Sequence, residues 1–237
     1  MSLEPPVPVV AQGHDADVIT AEWRRRTEAE YTSAAIAGQL TLWLIQLGAP
    51  PDLIRNGLAV VEDELAHSEL SAEVADSAGG VAGSPVIDPA SLVLRGGDDP
   101  GAALVSSVVR FFCLGETVAV PLFRMLRRGC SAPIALRALD RVMRDEGRHR
   151  QFGWDVLDWA LLAGGASVQD AVAAQVPAML HEIVSAYTSH GNEPEAELSL
   201  NARAWGLAPP RDYSSTVATA LACDVLPRLA ARGILIS

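Results

Sequence analysis

One short pattern of metal-binding residue types occurs twice in this sequence. The pattern is Asp-Glu-x-x-His, and it occupies residues 63–67 and 145–149, which contain the only two Asp-Glu dipeptides of the chain. On a helix, positions three residues apart share a face, so each segment directs one carboxylate and one imidazole to the same point. Two such pairs on two helices are what a dinuclear metal site in a helical bundle requires. The first four candidate ligands are Glu64, His67, Glu146 and His149.

A fifth candidate ligand is Glu116, the only acidic residue between positions 100 and 140. It lies in the apolar run 111–120, where an unpaired buried carboxylate would be very costly unless a metal ion offset its charge. Cys113 precedes Glu116 by one helical turn on the same face. Two interpretations of Cys113 stay open: a thiol beside the metals, or a small core residue.

The sixth candidate ligand comes from the first helical segment, because two divalent ions carry four positive charges that four carboxylates would offset. Glu28 and Glu30 are the alternatives there. Glu30 shares its helical face with Trp23 and Leu44, whereas the face of Glu28 is rich in arginine and glutamine. The more apolar face favours Glu30 as the ligand.

The aspartates that open the two patterns have a predicted role of their own. A metal-bound histidine usually donates its other ring N–H to a carboxylate, which fixes its tautomer and orientation. In a bundle with pseudo-twofold symmetry, Asp63 can reach across to His149 and Asp145 to His67. The alternative is that both are ordinary acids of a helix surface.

The elements that must position these residues are predicted to be helices, so the fold class is all-α. Apolar periodicity and Gly/Pro punctuation place helices at about 15–46, 52–76, 100–128, 133–163, 167–189 and 212–233. We expect an extended N-terminal arm over 1–14, a four-helix bundle over 15–163, and a C-terminal helical extension over 164–237 that packs on the bundle. A long crossover joins the two helical hairpins at 77–99, and residues 190–211 are expected to be irregular.

Composition bounds the function classes. The 237 residues carry a net charge of −11, which opposes binding to nucleic acid or to an anionic membrane. The three cysteines lack metal-motif spacing and cannot all pair, which fits a reducing compartment. No secretory leader and no uninterrupted apolar stretch of about 18 residues is evident. We therefore expect a cytoplasmic protein with neither nucleic-acid nor membrane partners.

Over about residues 15–163 the chain resembles the ferritin-like di-iron carboxylate superfamily, and more narrowly a group of bacterial ferritin-like domain proteins. The residues that carry this resemblance are Glu30, Glu64, His67, Glu116, Glu146 and His149. It implies a four-helix bundle with one long crossover, here followed by two extra C-terminal helices. It also implies two iron ions, or one manganese and one iron, with O₂ as co-substrate. No Cys-x-x-Cys pair is present, so the rubredoxin-like module of rubrerythrins is absent.

The resulting functional expectation is a di-iron oxygenase or oxidase that hydroxylates, desaturates or N-oxygenates a small organic substrate. Such turnover needs an external electron donor, a ferredoxin or a reductase. The main alternative is a ferroxidase or peroxide scavenger, and a third reading is a structural bundle with a vestigial site. The first and fifth helices are candidate surfaces for a homodimer.

Overall fold

The structure, a computed structural model, describes residues 10–11, 13–79, 87–94, 99–188 and 198–236, and most of these residues are helical. Those ranges contain no β-strand, which confirms the predicted all-α class. The helices are α1 Gly13–Gln46, α2 Pro51–Ser77, α3 Pro100–Gly129, α4 Pro133–Gly164, α5 Ala166–Thr188, α6 Leu200–Ala204 and α7, residues 210–230.

Helices α1 to α4 pack in a ring in which each helix contacts two neighbours. α1 lies along α2, α2 packs on α4, α4 packs on α3, and α3 returns to α1. Gly57 of α2 allows a close approach to α1, since a Cβ there would meet the Thr41 hydroxyl at 2.3 Å. The ring therefore encloses a space towards which all four helices can direct side chains.

Helix α3 begins with a well-formed N-terminal cap and contains one wide segment. The Asp99 side chain accepts hydrogen bonds from the backbone N–H groups of Gly101 and Ala102, and Pro100 occupies the first helical position. The middle of the helix, Val109–Glu116, is π-helical. Pro121 lies inside this helix, which continues through it to Gly129, and the π-helical turns lie upstream of it.

The C-terminal helices lie against the ring. α5 follows α4 after a single turn residue, Gly165, whose φ of 54° suits glycine. α7 packs on both α3 and α5, and it contains a second π-helical segment, Leu221–Val225. Near α6, the carbonyl of Trp205 accepts a hydrogen bond of 2.9 Å from the indole of Trp23 on α1.

Only parts of the three segments predicted to be irregular lie within the described residues. Most of the N-terminal arm lies outside the described residues, as do 80–86 and 95–98 of the crossover and 189–197 of the second irregular stretch. The described part of the crossover holds a short 3₁₀ turn, Pro89–Leu92. The stretch expected to be irregular before α7 contains α6, a helix that the periodicity did not predict.

Helix α3 is also long and apolar enough to cross a membrane by length and composition. Its best 18-residue window has a mean hydropathy of 1.6, and 56% of that window is buried. A core helix meets the same two criteria. Within the described residues, α3 supplies Leu104, Val108 and Phe112 to the main hydrophobic core.

Candidate metal centre

Six acidic and histidine side chains converge inside the ring of α1 to α4. α1 contributes one carboxylate, α3 another, and α2 and α4 each contribute a carboxylate and an imidazole three residues apart. Their exposed fractions are 8% for Glu30, 1% for Glu64, 0% for His67, 9% for Glu116, 2% for Glu146 and 0% for His149. The structure thus brings together all six residues singled out from the sequence, whereas Glu28 remains outside the cluster.

The six residues form three overlapping groups, in each of which one ligand atom per residue lies within 4.8 Å of the others. The groups are Glu64, His67 and His149; Glu30, His67 and Glu146; and Glu116, Glu146 and His149. Because His67, Glu146 and His149 each belong to two groups, the cluster is continuous. A continuous cluster of this kind has room for more than one ion with shared ligands.

The spacing between imidazole and carboxylate atoms is that of ligands around a common ion. His67 Nδ1 lies 3.6 Å from Glu64 Oε2, 3.8 Å from Glu30 Oε2 and 3.9 Å from Glu146 Oε1. Two atoms that each bind one ion at about 2.0–2.2 Å can be up to about 4.4 Å apart. These distances exceed a normal hydrogen bond but fit shared coordination.

His149 shows the same relation to its neighbours. Its Nδ1 lies 3.2 Å from Glu64 Oε1 and 4.0 Å from Glu146 Oε1. Even the shorter contact is not aligned as a hydrogen bond, since both atoms lack a hydrogen-bond partner among the described residues. The imidazole and the carboxylate therefore face each other without a hydrogen bond, as two ligands of one metal ion would.

Unpartnered buried atoms test whether the residues fit a metal ion. Glu64 Oε1 and Oε2, Glu146 Oε2, His67 Nδ1 and His149 Nδ1 are all buried and have no hydrogen-bond partner within the described part of the chain. Leaving such atoms unsatisfied costs about 1–3 kcal/mol each, and more when they are charged. These five are the majority of the nine such atoms among the described residues, and all five belong to candidate ligands. The donor set of carboxylates and imidazoles therefore fits divalent metal ions.

In the absence of metal ions, protons balance the charge of the cluster. Burial, together with the charges of Glu30 and Glu116, raises the pKa of Glu64 to about 7. Burial and the neighbouring Glu116 raise the pKa of Glu146 well above its usual value. Two carboxyl groups are therefore readily protonated, and metal ions binding between these oxygens would displace the protons.

Glu30, His67 and His149 hold their charge more firmly. Burial opposes charge on His67, but its contacts with Glu30 and Glu64 outweigh that effect and raise its pKa to about 10. Burial would raise the pKa of Glu30, yet the contact with His67 lowers it overall. The pKa of His149 is also raised against the effect of burial, chiefly by Glu64.

The two aspartates of the repeated pattern contact the histidines crosswise. Asp145 Oδ2 lies 3.3 Å from His67 Nε2, and Asp63 Oδ2 lies 3.2 Å from His149 Nε2. Each aspartate thus contacts the imidazole of the other helix, which is the crosswise arrangement predicted from the pseudo-twofold symmetry. With Nε2–H donating to aspartate, the Nδ1 atom of each ring is the one left to face the cluster.

Two arginines of α4 contact both of these aspartates, and they were not predicted from the sequence. Arg141 donates to Asp63 Oδ1 at 3.0 Å and also to Asp145, while Arg148 donates to Asp63 and to Asp145 Oδ1 at 3.4 Å. Each guanidinium therefore bridges both aspartates. Burial would raise the pKa of both carboxyls, but Arg148 and His149 lower that of Asp63, and Arg141 and His67 lower that of Asp145. The signal was present in the sequence, since the two arginines lie four residues before and three after Asp145.

Cys113 lies apart from the cluster, as a fully buried member of the main hydrophobic core. Burial raises the pKa of its thiol, and the charges acting on it are those of Arg232, Asp158 and Arg228 rather than of any candidate ligand. The π-helical geometry explains this placement. Its wider turn removes the shared face that three-residue spacing gives in an α-helix. Of the two interpretations, the structure matches the small core residue.

The neighbour of Glu116 ties α3 to α4. The hydroxyl of Thr117 accepts a hydrogen bond of 3.1 Å from the indole N–H of Trp154, and both residues are fully buried. Phe112 and Phe152 pack edge to face one turn away, with ring centroids 5.5 Å apart. These contacts fix the part of α3 that carries Glu116.

No protein-family model matches the chain, and the comparison with curated proteins also gives no match. What the centre does must therefore be argued from its residues and their geometry.

Proposed function

We propose that this protein is a ferritin-like four-helix bundle that binds two metal ions between Glu30, Glu64, His67, Glu116, Glu146 and His149. We further propose that it is a non-haem dinuclear iron, or manganese/iron, oxygenase or oxidase. One observation carries this proposal: four carboxylates and two imidazoles converge in a buried cluster whose unpartnered atoms all belong to them. Such a cluster is costly to bury unless cations offset its charge.

The ligand types favour iron and manganese over softer metals. Carboxylate oxygens suit harder divalent ions, imidazole adds affinity for iron, and no thiolate belongs to the candidate groups. When bound and reduced, the ions would supply the electrons for oxidation of an organic substrate by O₂. The chain would orient both imidazoles through Asp63 and Asp145.

Turnover of this kind implies partners. A small organic molecule is the proposed substrate, and a ferredoxin or reductase is the proposed source of electrons for each new cycle. The acidic charge of −11 supports a small substrate over a polyanion. We place the protein in the cytoplasm, where its cysteines stay reduced.

Metal stoichiometry is the direct test of the centre. The protein is loaded anaerobically with Fe(II), desalted and measured for iron by mass spectrometry. We expect about two irons per chain, and loss of both in Glu116→Ala. Glu28→Ala is the control for loss of one acidic side chain, because Glu28 lies on α1 outside the cluster. Two irons retained in Glu116→Ala, or none in the unmodified protein, would contradict the proposal.

The reaction with O₂ separates an oxygenase from a ferroxidase. An oxygenase loaded with two Fe(II) per chain should consume O₂ once and then require an added reductant. A ferroxidase should instead continue to oxidise excess Fe(II) without another reductant. Oxygen uptake with increasing Fe(II), measured with an electrode, therefore decides between the two functions.

A further inference from the structure

A pocket of about 500 Å³ lies against the N-terminal half of α1, and none of the six candidate ligands is among its lining residues. Its walls come from the N-terminal half of α1, the last turns of α5, and the segment from 198 into α7. Residues that line it include Val18, Ala21, Tyr187, Leu207, Ala208 and Tyr213. Pockets of this size hold small organic molecules, and an apolar lining with few polar groups is typical of them.

The pocket has an aromatic wall formed by two tyrosines from different helices. The rings of Tyr187 on α5 and Tyr213 on α7 are nearly parallel, with an interplanar angle of 14° and centroids 6.1 Å apart. Burial raises the pKa of Tyr187 to about 12, so its phenol stays neutral and can donate a hydrogen bond. The wall therefore offers flat apolar surface together with neutral donors.

The charged residues among those lining the pocket are Glu22 and Arg25. Glu22 accepts two hydrogen bonds from Arg25, each 2.9 Å long, and a third of 2.9 Å from Arg26. One carboxylate is thus shared by two guanidinium groups, which leaves a net charge of +1 at this end of the pocket. Arg25 commits only two of its five N–H donors to Glu22 and has 61% of its side chain exposed.

A buried donor adds to the positive character of this end. Arg26 Nη1 is buried and has no hydrogen-bond partner among the residues that the structure describes. The rest of this guanidinium is held by Glu22 and by the carbonyl of Gly206, at 2.9 Å each. Tyr213, which lines the pocket, lies close enough to Arg26 for the two to interact.

We propose that this pocket binds organic acids: a carboxylate at the Arg25 end and an apolar or aromatic body along the tyrosine wall. The Arg25 guanidinium provides charge-assisted donors that pair with a carboxylate more strongly than with a neutral head group and that repel a cationic one. The apolar lining provides the remaining affinity through surface removed from water. No other charged residue of the lining competes with a bound anion.

The position of the pocket relates it to the candidate metal centre. Glu22 precedes Glu30 by eight residues on α1, so the charged end lies about 12 Å along the helix axis from that ligand. The charge of Glu116 acts on the Tyr187 phenol. A role as the substrate site rests on the proposed function, and it would narrow the proposed substrates to apolar organic acids. As a binding site it stands without that function.

Binding is tested on the full-length metal-free protein with three probes of one shape and different charge. The probes are 1-naphthylacetate, its neutral amide 1-naphthylacetamide, and the cationic 1-naphthylmethylamine, titrated by calorimetry. We expect the carboxylate to bind at least about fivefold more tightly than the amide, and the amine to bind most weakly. Equal affinity for acid and amide, or stronger binding of the amine, would overturn the proposal.

Four variants locate the binding at this pocket. Arg25→Gln should remove the preference for acid over amide, whereas Arg55→Gln, which removes an exposed arginine on α2, should retain it. Ala208→Phe fills the pocket and should weaken both probes at least tenfold, while Ala171→Phe on the exposed side of α5 should not. A preference that survives Arg25→Gln, or binding unchanged by Ala208→Phe, would contradict the assignment.

Iron content, measured on the same preparations, separates this inference from the proposed function. Probe binding in a protein that takes up no iron would support the acid-binding pocket and refute the di-iron proposal. Two irons per chain with no binding of any probe would refute the pocket and leave the centre standing.

Discussion

His67 and His149 each use both ring nitrogens, one towards the cluster and the other towards an aspartate of the opposite helix. The aspartates in turn are held by two arginines that bridge them. This chain of contacts orders the imidazoles before any ion arrives, because none of its members depends on a metal. A preorganised imidazole binds an ion without the entropic cost of being ordered.

The aspartate contact should matter for metal affinity. Asp145→Asn keeps the shape but removes the negative charge that supports His67, so we expect iron affinity to fall about 10- to 100-fold. Competition with a chromogenic chelator measures it. Asp140→Asn is the control, since Asp140 lies on the same helix but pairs with Arg127 at an exposed position. Equal affinities for the two variants would show that the crosswise contact has no effect on metal binding.

Replacing a ligand should affect the metal-free and metal-loaded proteins differently. Glu146 is buried and its pKa is raised well above the usual value, so it is readily neutral in the metal-free protein. We therefore expect Glu146→Gln to leave the Tm of the metal-free protein unchanged or higher, and to abolish the rise in Tm that Fe(II) produces. Thermal unfolding with and without Fe(II) measures both effects. A normal Fe(II)-dependent rise would remove Glu146 from the ligand set.

The sequence was sufficient to find the cluster, because three-residue spacing on regular helices fixes which side chains share a face. The choice of Glu30 over Glu28 depended only on the apolar character of a helix face, and the structure buries Glu30. The bridging by Arg141 and Arg148 could not be predicted in the same way. An arginine on a helix is usually solvated, and its partners here include Asp63 from another helix.

At the scale of the helices, close contact between α4 and the π-helical segment of α3 sets the position of Glu116. Gly153 of α4 faces the backbone of that segment, where an added Cβ would lie 2.7 Å from the carbonyl carbon of Phe112 and 2.9 Å from the nitrogen of Cys113. Backbone atoms cannot move aside as a flexible side chain can. A residue without a Cβ is therefore needed where the two helices touch.

This contact gives a prediction with an internal control on the same helix. Gly153→Ala should destabilise the protein by about 1–3 kcal/mol through overpacking. Gly147→Ala, where an added Cβ meets no atom of the described residues within 4 Å, should stabilise it by about 0.5–1 kcal/mol. Urea denaturation of the metal-free variants measures both. Stabilisation by Gly153→Ala would show that the helices can separate at little cost.

Helix limits were predicted closely, and helix irregularities were not. The first five predicted helices begin and end within two residues of the observed ones, because proline and glycine mark their ends. The π-helical segment of α3 has no such marker. Pro121 lies in the same helix, but its missing N–H does not mark where the backbone widens, which is upstream at Val109–Glu116.

Over the whole molecule, an ion-pair cluster on α1 joins the helical ring to the C-terminal region. Arg26 is almost fully buried, donates to Glu22 and donates to the carbonyl of Gly206 beyond α6. Its guanidinium also stacks 4.4 Å from the centre of the Trp23 ring, whose indole donates to the carbonyl of Trp205. Breaking one partner of a buried pair leaves the other uncompensated, so Glu22 contributes to this attachment.

The contribution of this ion-pair cluster to stability should depend on pH, and the pKa of Glu22 determines the direction of that dependence. Burial opposes its charge, but Arg26 and Arg25 outweigh burial and lower this pKa below the ordinary 4.5. A lowered pKa means that the stabilisation is fully present above about pH 5 and is lost as the pH falls through the folded-state value. We expect Glu22→Gln to be less stable than the unmodified protein at pH 7, and the difference to shrink as the pH falls below about 4.5.

Urea denaturation across that pH range measures the difference, with Glu28→Gln on the same helix as the control for simple loss of charge. A difference that stays constant from pH 7 to pH 3 would show that ionisation of Glu22 does not contribute to stability.

The burial of all six candidate ligands, none more than 9% exposed, also has a kinetic consequence. A chelator in solution has no direct contact with an ion enclosed in this way. The ion is released only when two helices separate, so the rate of that opening sets the rate of metal release. Iron loss from the loaded protein should therefore proceed at the same speed whether the chelator is dilute or concentrated. A rate proportional to chelator concentration would instead reveal a direct path from solvent. Because bound ions would then exchange slowly, the metals bound when the protein is synthesised would stay in the centre even after the surrounding metal supply changes.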